Sequence, residues 1–480
     1  MRSSFIFPTT FLCILSYTAG SSMNKPLRSF LQGSVSRLQQ IGANSIISGG
    51  ATFVIGNEAA DADSIISSLT YAYLKQWIWD ERSDTGVADN MRRPIIPITA
   101  IKRSEIHLRR DVELLLTEIG IDLRDLVCVD ECSITATAAA NNLDLILVDH
   151  NLISSSVLAQ LGAAPDDIVR EVLDHHEDSG SYLSATVREI EFDMINKKPE
   201  VASTCTIIAE KYLRKENIGA LNEDIATLLI SVIAIDSLNM DPTQKRGTSR
   251  DLNALTSLQL LFPTVQRDRL YNLLINAKTD PMFWESLSAK DAIRLDFKDF
   301  KFQNMDLSNS QSKKLSEEDR VPSLSFGVAS VLQSAESFLK KKDLDDELQS
   351  YFSTLTDLST SAADSSDDPK VLEVNTLMAI MFLTFHPQLR RSLLFFSDNE
   401  DTITALTAYL STNSLDLNLS ELEVDFDLFV HRDQGTPHRL GGRKNIFMTG
   451  YHQENLEMSR KQVAPIISNF CSNLSFTAAP

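Results

Sequence analysis

Three strongly apolar runs, residues 51–55, 143–148 and 168–173, each end directly on a cluster of carboxylates, imidazoles or amides. The first opens onto Asn57-Glu58-Ala59-Ala60-Asp61-Ala62-Asp63-Ser64, the second onto Asp149-His150-Asn151, the third onto Asp174-His175-His176-Glu177-Asp178. Runs of this length and composition read as buried strands. Further strands are expected near 95–98 and 126–129, with helices over 64–79, 105–119, 204–215 and 222–235. Such alternation predicts an α/β domain with a parallel sheet and helices on both faces. Ligands of open α/β sheets bind beyond the carboxyl ends of the strands, so all three clusters would meet along one sheet edge. A fourth segment, Ala234-Ile235-Asp236-Ser237, would bring Asp236 to the same edge from a helix end.

An Asp-x-Asp after a strand can simply cap the next helix, with Asp61 or Asp63 accepting from its first amides. The combination of four Asp with one or two His instead suits a pair of divalent cations. Asp61 and Asp63 flank one residue of a tight turn, so their carboxylates can reach neighbouring ions. Asp149 can bridge both, and His175 and Asp236 can complete the second site. Two ions roughly 3.5–4 Å apart activate a water and clamp the attacking and leaving oxygens of a phosphoryl displacement. His150 either orients Asp149 as a neighbouring donor or is a structural imidazole.

These segments resemble the DHH phosphoesterase superfamily, and Gly56-Asn57-Glu58-Ala59-Ala60-Asp61-Ala62-Asp63-Ser64 resembles its eukaryotic exopolyphosphatase and Prune branch. The chain is also similar to family II inorganic pyrophosphatases, in which the Asn57 position is normally a histidine that binds metal. Prune proteins usually carry Arg where this chain has His176. Asp296-Phe297-Lys298 and Ser459-Arg460-Lys461-Gln462-Val463-Ala464-Pro465 resemble the phosphate-binding segments of a second, DHH-associated domain. The resemblance implies that Asp61, Asp63, Asp149, His175 and Asp236 hold two divalent cations, manganese or magnesium, with cobalt a further candidate. It implies that Asn57, His176, Lys298, Arg460 and Lys461 bind substrate. Asp149, His176, Arg460 and Lys461 would carry the catalysis. The implied reaction releases orthophosphate from the ends of inorganic polyphosphate. A pyrophosphatase, a short-nucleotide phosphodiesterase and a Prune-like interaction protein with a vestigial site are the alternatives. Arg439-Leu440-Gly441-Gly442-Arg443 lacks the His that ends the Gly-rich segment of the superfamily's nucleases.

With 480 residues the chain exceeds one ordinary core. The expected division is a DHH domain over 48–245, a helical and mostly connective linker over 246–285, and a smaller α+β domain over 286–472, with the active site in the cleft between the two domains. Residues 23–47 read as a leader helix or linker. Residues 1–22, with Arg2 before an apolar stretch and small residues after it, resemble a targeting segment for secretion or an organelle. Met23 could instead begin a cytoplasmic protein. Pro8 and the short apolar length argue against a stable membrane span. A net charge of −20 argues against binding duplex nucleic acid, and it would repel a polyphosphate unless positive charge is concentrated locally. Arg432, Arg439, Arg443, Lys444, Arg460 and Lys461, close together in sequence, are such a concentration. The five cysteines give no paired framework and read as buried thiols. Residues 307–320 and 354–368 read as exposed polar insertions.

Overall fold

Apolar runs at Ala51–Ile55 (β1), Ile95–Ile98 (β2), Leu143–Val148 (β3) and Val169–Asp174 (β4), with an edge strand at Val187–Ile190 (β5), form one parallel sheet. Its spatial order is β2-β1-β3-β4-β5. The computed structural model describes residues 26–42, 50–82, 93–132, 143–154, 157, 165–301, 324–342, 344–360, 375–385, 388–422, 429–430, 438–440 and 446–473. The expected targeting segment, residues 307–320 and the basic residues Arg432, Arg443 and Lys444 lie outside these. None of the described helices is long and apolar enough to cross a membrane.

Both faces of the first sheet are covered, which is why residues 145–148 of β3 and 172–173 of β4 are apolar and buried on both sides instead of alternating. Val54, Ile146, Val148 and Leu173 pack among the residues of helices Ala62–Arg82 (α2), Thr204–Tyr212 (α4) and Glu223–Asp236 (α5). Phe53, Ile55, Leu145, Leu147 and Val172 face the opposite side with Leu38 of helix Pro26–Gly42 (α1). Full burial of each such side chain contributes roughly 2 kcal/mol. From β1 the chain passes to β2 on one side and later to β3 on the other. The crevice at such a reversal, between the ends of β1 and β3, is where ligands of doubly wound sheets bind.

The structure departs from the sequence expectations at two places in this half. Residues 126–129 form a single bridge, Thr99 to Cys128, and a 3-10 turn at Val129–Glu131 instead of a strand. The Arg103 guanidinium donates to the Leu123 and Leu126 carbonyls, and the chain turns into the 3-10 helix directly after Cys128. The helix expected over 105–119 is broken into a 3-10 turn, Arg103–Leu108, and an α-helix, Arg110–Glu118 (α3). The break falls at Arg109, whose buried side chain is drawn towards the second domain.

Helices Ser249–Leu261 (α6) and Arg267–Thr279 (α7) follow α5. They are more than connective, because α7 packs on both α3 and α5. The second sheet has eight strands: Phe297–Lys301 (β6), Leu324–Val331 (β7), Asn375–Thr384 (β8), Arg390–Ser397 (β9), Leu419–Glu421 (β10), Phe429–Val430 (β11), His438–Leu440 (β12) and Phe447–Gln453 (β13). They run β11-β12-β13-β9-β8-β7-β6, with β10 also on β13, and among the described residues β7 and β8 pair parallel and the other pairs antiparallel. Helix Leu344–Thr360 (α8) covers one face, while Glu400–Asn413 (α9) and Arg460–Asn473 (α10) cover the other. Residues 354–360, expected in a polar insertion, therefore continue α8.

Candidate metal and phosphate site

The turn from β1 into α2 is built around Asn57 and Ser64. Gly56 lets them approach, since a Cβ there would lie 2.7 Å from the Ser64 carbonyl oxygen. The Asn57 side-chain oxygen accepts from the Ala59 and Ala60 amides, and its Nδ2 donates to an Asp149 carboxylate oxygen at 2.8 Å. Ser64 Oγ donates to the same oxygen at 2.7 Å. Both polar ends of Asn57 are thus spent inside the protein, and its amide braces Asp149. Asp61 receives the Ser64 amide and opens towards the cleft. Asp63 lies at the start of α4, where Ser203 Oγ, the Thr204 amide and the Cys205 amide donate to it. A helix N-terminus favours a carboxylate in this position.

Asp149 itself has φ of 62°, a conformation uncommon for residues other than glycine. Backbone strain of this kind is worth about 1–3 kcal/mol and persists where the surrounding structure imposes it. Its other oxygen lies 3.4 Å from His175 Nε2 and 3.7 Å from His176 Nδ1. His175 Nε2 is also 3.8 Å from Asp63. His175 Nδ1 contacts the Val201 carbonyl at 3.0 Å, which fixes the ring and directs Nε2 into the acid cluster. Asp174, fully buried, accepts from the His175 amide, from His176 Nδ1 and from Asn151 Nδ2. Burial pushes the Asp174 carboxyl up, but His176, His175 and Asn151 hold it well below the usual range. It orients the imidazoles from behind. His150 turns its Nδ1 to the Val148 carbonyl. Cys205 packs against Ser67, and Cys128, Cys132 and Cys471 are likewise buried thiols.

Asp236 ends α5, where the helix dipole disfavours a negative charge. One of its carboxylate oxygens is buried with no hydrogen-bond partner. Burial, and then Asp63 and Asp61, push this carboxyl far above the usual range. Asp149 is pushed up to about 8 by burial and Asp63 against the pull of His175. Four acids forced together, one orphaned oxygen, and an Asp149-His175-His176 group whose donor atoms all lie within 4.8 Å of one another fit bound divalent cations. The mixed nitrogen and oxygen donors suit a metal of the manganese type.

Across the cleft a cavity of about 110 Å³ is lined by Asp61, Arg109, Asp111, Lys278, Asp296 and Ser330. Lys278, on α7, reaches solvent although protein surrounds it. Burial would lower its pKa, but Asp111, Asp61, Asp236 and Asp296 raise it, so it stays a cation. Arg109 Nη1 donates to the Leu295 carbonyl at 2.6 Å and Nη2 to the Ala59 carbonyl, tying the Asp61 turn to the second domain. Arg294 reaches back to the Glu58 carbonyl and to Glu105. Arg460 Nη1, at the start of α10, bonds both the carbonyl and the carboxylate of Asp296 at 2.8 Å. Lys298 lies in β6 and Lys461 in α10, and their side chains fall outside the described atoms. Lys278 and Arg109 belong to no motif, and neither stood out in the sequence.

Residues 51–233 match the DHH family N-terminal domain, and residues 273–470 match the DHHA2 domain. The chain belongs to the DHH superfamily. Exopolyphosphatase PRUNE1 of Mus musculus is 27% identical over 425 residues, covering 87% of this chain and 75% of its own. The Homo sapiens protein of that name is 25% identical with the same coverage. The manganese-dependent inorganic pyrophosphatase of Methanothrix thermoacetophila is 25% identical over 292 residues, covering 59% of this chain and 77% of its own.

The acid cluster has a pH signature that needs no substrate. Burial lowers the pKa of His175, but the hydrogen bond and charge of Asp149 outweigh it and lift the imidazole to about 9. Asp149 and His175 therefore each keep a proton to higher pH than in the unfolded chain. For Asp149 the folded pKa of about 8 exceeds the unfolded value, so stability declines as pH rises towards 8. For His175 the stabilisation is complete below about 6.5 and lost through about 9. Metal-free protein should accordingly lose thermal stability between pH 6.5 and 9, while the rise in Tm caused by manganese should grow over the same window. Thermal melts with and without the ion measure both; a metal-free Tm that climbs with pH would contradict this site chemistry.

Proposed function

We propose that this DHH protein is a metal-dependent exopolyphosphatase that hydrolyses terminal phosphoanhydride bonds of inorganic polyphosphate and releases orthophosphate. The observation that carries the reading is the orphaned, buried Asp236 oxygen near Asp61, Asp63 and His175, with Lys278 close enough to act on it and Arg460 bonded to Asp296 of the cavity lining. Relatives named exopolyphosphatase match most of the chain, and a relative named manganese-dependent inorganic pyrophosphatase supports the choice of metal.

Asp61 and Asp149 would hold one divalent cation, and Asp63, Asp149, His175 and Asp236 a second. Such ions supply a polarised water at neutral pH and charge to offset the phosphoryl oxygens. The chain's own residues do the rest. Asn57 and Ser64 fix one oxygen of Asp149, leaving the other towards His175 and His176. The Val201 carbonyl fixes the His175 ring. His176, oriented by Asp174, is placed to donate to a non-bridging phosphoryl oxygen. Lys278 and Arg460 add charge where the leaving phosphate becomes more negative, the electrostatic stabilisation that dominates phosphoryl transfer. Arg109 and Arg294 hold the Asp61 turn against the second domain, so the two halves of the cleft are mutually registered.

Pyrophosphatase activity is the competing reading, favoured by the pyrophosphatase relative. One purified sample assayed with manganese on long polyphosphate, tripolyphosphate, pyrophosphate and a cyclic nucleotide decides between them. Orthophosphate release from tripolyphosphate and long chains at rates well above pyrophosphate is expected. Turnover of pyrophosphate alone, or of the cyclic nucleotide alone, would overturn the assignment, and no turnover of any would favour a binding protein.

A further inference from the structure

Asp251 has no part in the proposed ligand set, yet it is among the most enclosed carboxylates of the chain, with no exposed surface. It stands at the third position of α6, where it forms a capping box with Thr248 by accepting from the Thr248 amide and hydroxyl at 2.8 Å. A cap needs nothing more. Asp251 nevertheless accepts from two further donors outside its helix, the Ala202 amide, bifurcated between both oxygens at 3.1 and 3.0 Å, and Thr206 Oγ1 at 2.6 Å. All these donors are neutral. The adjacent Arg250 directs its charge elsewhere, to Glu191, Glu200 and Glu210.

Ala202 lies in the segment that lines the rear of the acid cluster. Val201, one residue before it, supplies the carbonyl that fixes His175. Ser203, one residue after it, donates to Asp63 at 2.6 Å, and the Thr204 and Cys205 amides bond the same carboxylate. Thr204 Oγ1 also reaches Asp149 at 3.5 Å. A five-residue stretch thus touches three proposed ligands, and the anchor behind it is one buried carboxylate that grips Ala202 and Thr206.

We infer that Asp251 is a positioning residue for the metal centre, setting the places of His175 and Asp63 through the peptide segment 201–205. The inference rests on the metal site proposed above. It follows from reach and rigidity: a shift of Ala202 moves the His175 acceptor and the Asp63 donors together, whereas loss of a single bond to either ligand would move only one. Groups that orient metal ligands typically change metal affinity ten- to a hundredfold when removed.

The test is manganese binding to the full-length, metal-stripped protein by isothermal titration calorimetry, with the electron paramagnetic resonance spectrum of the bound ion as a second readout. Asp251→Asn keeps the shape but places an NH2 group against the Ala202 amide or the Thr206 hydroxyl. It should weaken manganese ten- to a hundredfold and broaden the spectrum. Thr248→Ala removes the cap of α6 without touching Ala202. It should lower Tm yet keep manganese affinity within threefold of wild type. If Asp251→Asn does not fold, Thr206→Val takes its place. There, weakening of at least threefold supports the role, and wild-type affinity overturns it. Equal losses in Asp251→Asn and Thr248→Ala, or none in Asp251→Asn, overturn the positioning role while the metal site stands. Failure of the wild type to bind manganese would bring down the metal site itself.

Discussion

Asp149→Ala is expected to lower kcat/KM on tripolyphosphate at least about a thousandfold, roughly 4 kcal/mol of barrier, and to abolish the manganese-induced rise in Tm. The size of the effect follows from position. Asp149 lies between the β1 turn and the β4 histidines, is held by Asn57 and Ser64 on one oxygen, and offers the other to His175 and His176. Asp149→Asn is the informative companion, because Asn tolerates the left-handed backbone at this residue better than Ala does. It removes a charge that Asp63 and Asp61 oppose. The metal-free Asn variant should therefore melt above metal-free wild type near pH 8, and manganese should stabilise only the wild type. Activity within about tenfold of wild type in either variant would refute the ligand assignment.

That an inactivating change should stabilise the empty protein explains why this site was legible in the sequence. The acids proposed to hold metal are gathered where burial and repulsion make them costly, and apolar strands ending in acids are the visible trace of that cost. Asp61, Asp63, Asp149 and His175 follow β1, β3 and β4 directly, so their meeting could be inferred from the parallel sheet alone. Asp236 was legible for a related reason, as an acid ending the uniformly apolar α5.

The opposite wall was not legible. Lys278 sits near the end of Arg267–Thr279, a helix of ordinary polar composition, and only the packing of α7 on α3 and α5 turns it into the cleft. Arg109 falls inside the helix expected over 105–119, and only its bonds to Ala59 and Leu295 mark it out. Asp251 closes the capping box of α6, and its hold on Ala202 is purely tertiary. Strands β9 and β13 were missed because Arg390–Ser397 and Phe447–Gln453 lack clean alternation. Helices cover both faces of that sheet, so β9 is almost continuously buried, while Thr449, Gly450, His452 and Gln453 interrupt the apolar pattern of β13.

The same opposite wall bears on how a chain at −20 could hold a polyanion. In the metal-free cleft the positive charge is already engaged, since Asp111, Asp61, Asp236 and Asp296 act on Lys278 and Asp296 occupies one nitrogen of Arg460. Two divalent cations would cancel Asp61, Asp63, Asp149 and Asp236 and leave the lysine and arginine to set the sign. Substrate affinity should therefore depend on metal first and on Arg460 second. Arg460→Gln is expected to reduce kcat/KM about a hundredfold, near 2.7 kcal/mol, with manganese affinity changed less than threefold. A guanidinium presents five donors in a planar fork, and the described bonds of Arg460 to Asp296 both come from Nη1. The remaining donors can meet phosphate oxygens while Asp296 keeps the side chain aimed. Asp296→Asn, which weakens the aim but keeps the cation, should cost no more than about tenfold. Rising salt should weaken the wild type more than Arg460→Gln, because screening removes an attraction the variant has already lost. If Arg460→Gln retains near-normal kcat/KM on tripolyphosphate, the phosphate site lies elsewhere on this wall, and Lys278→Gln becomes the deciding substitution.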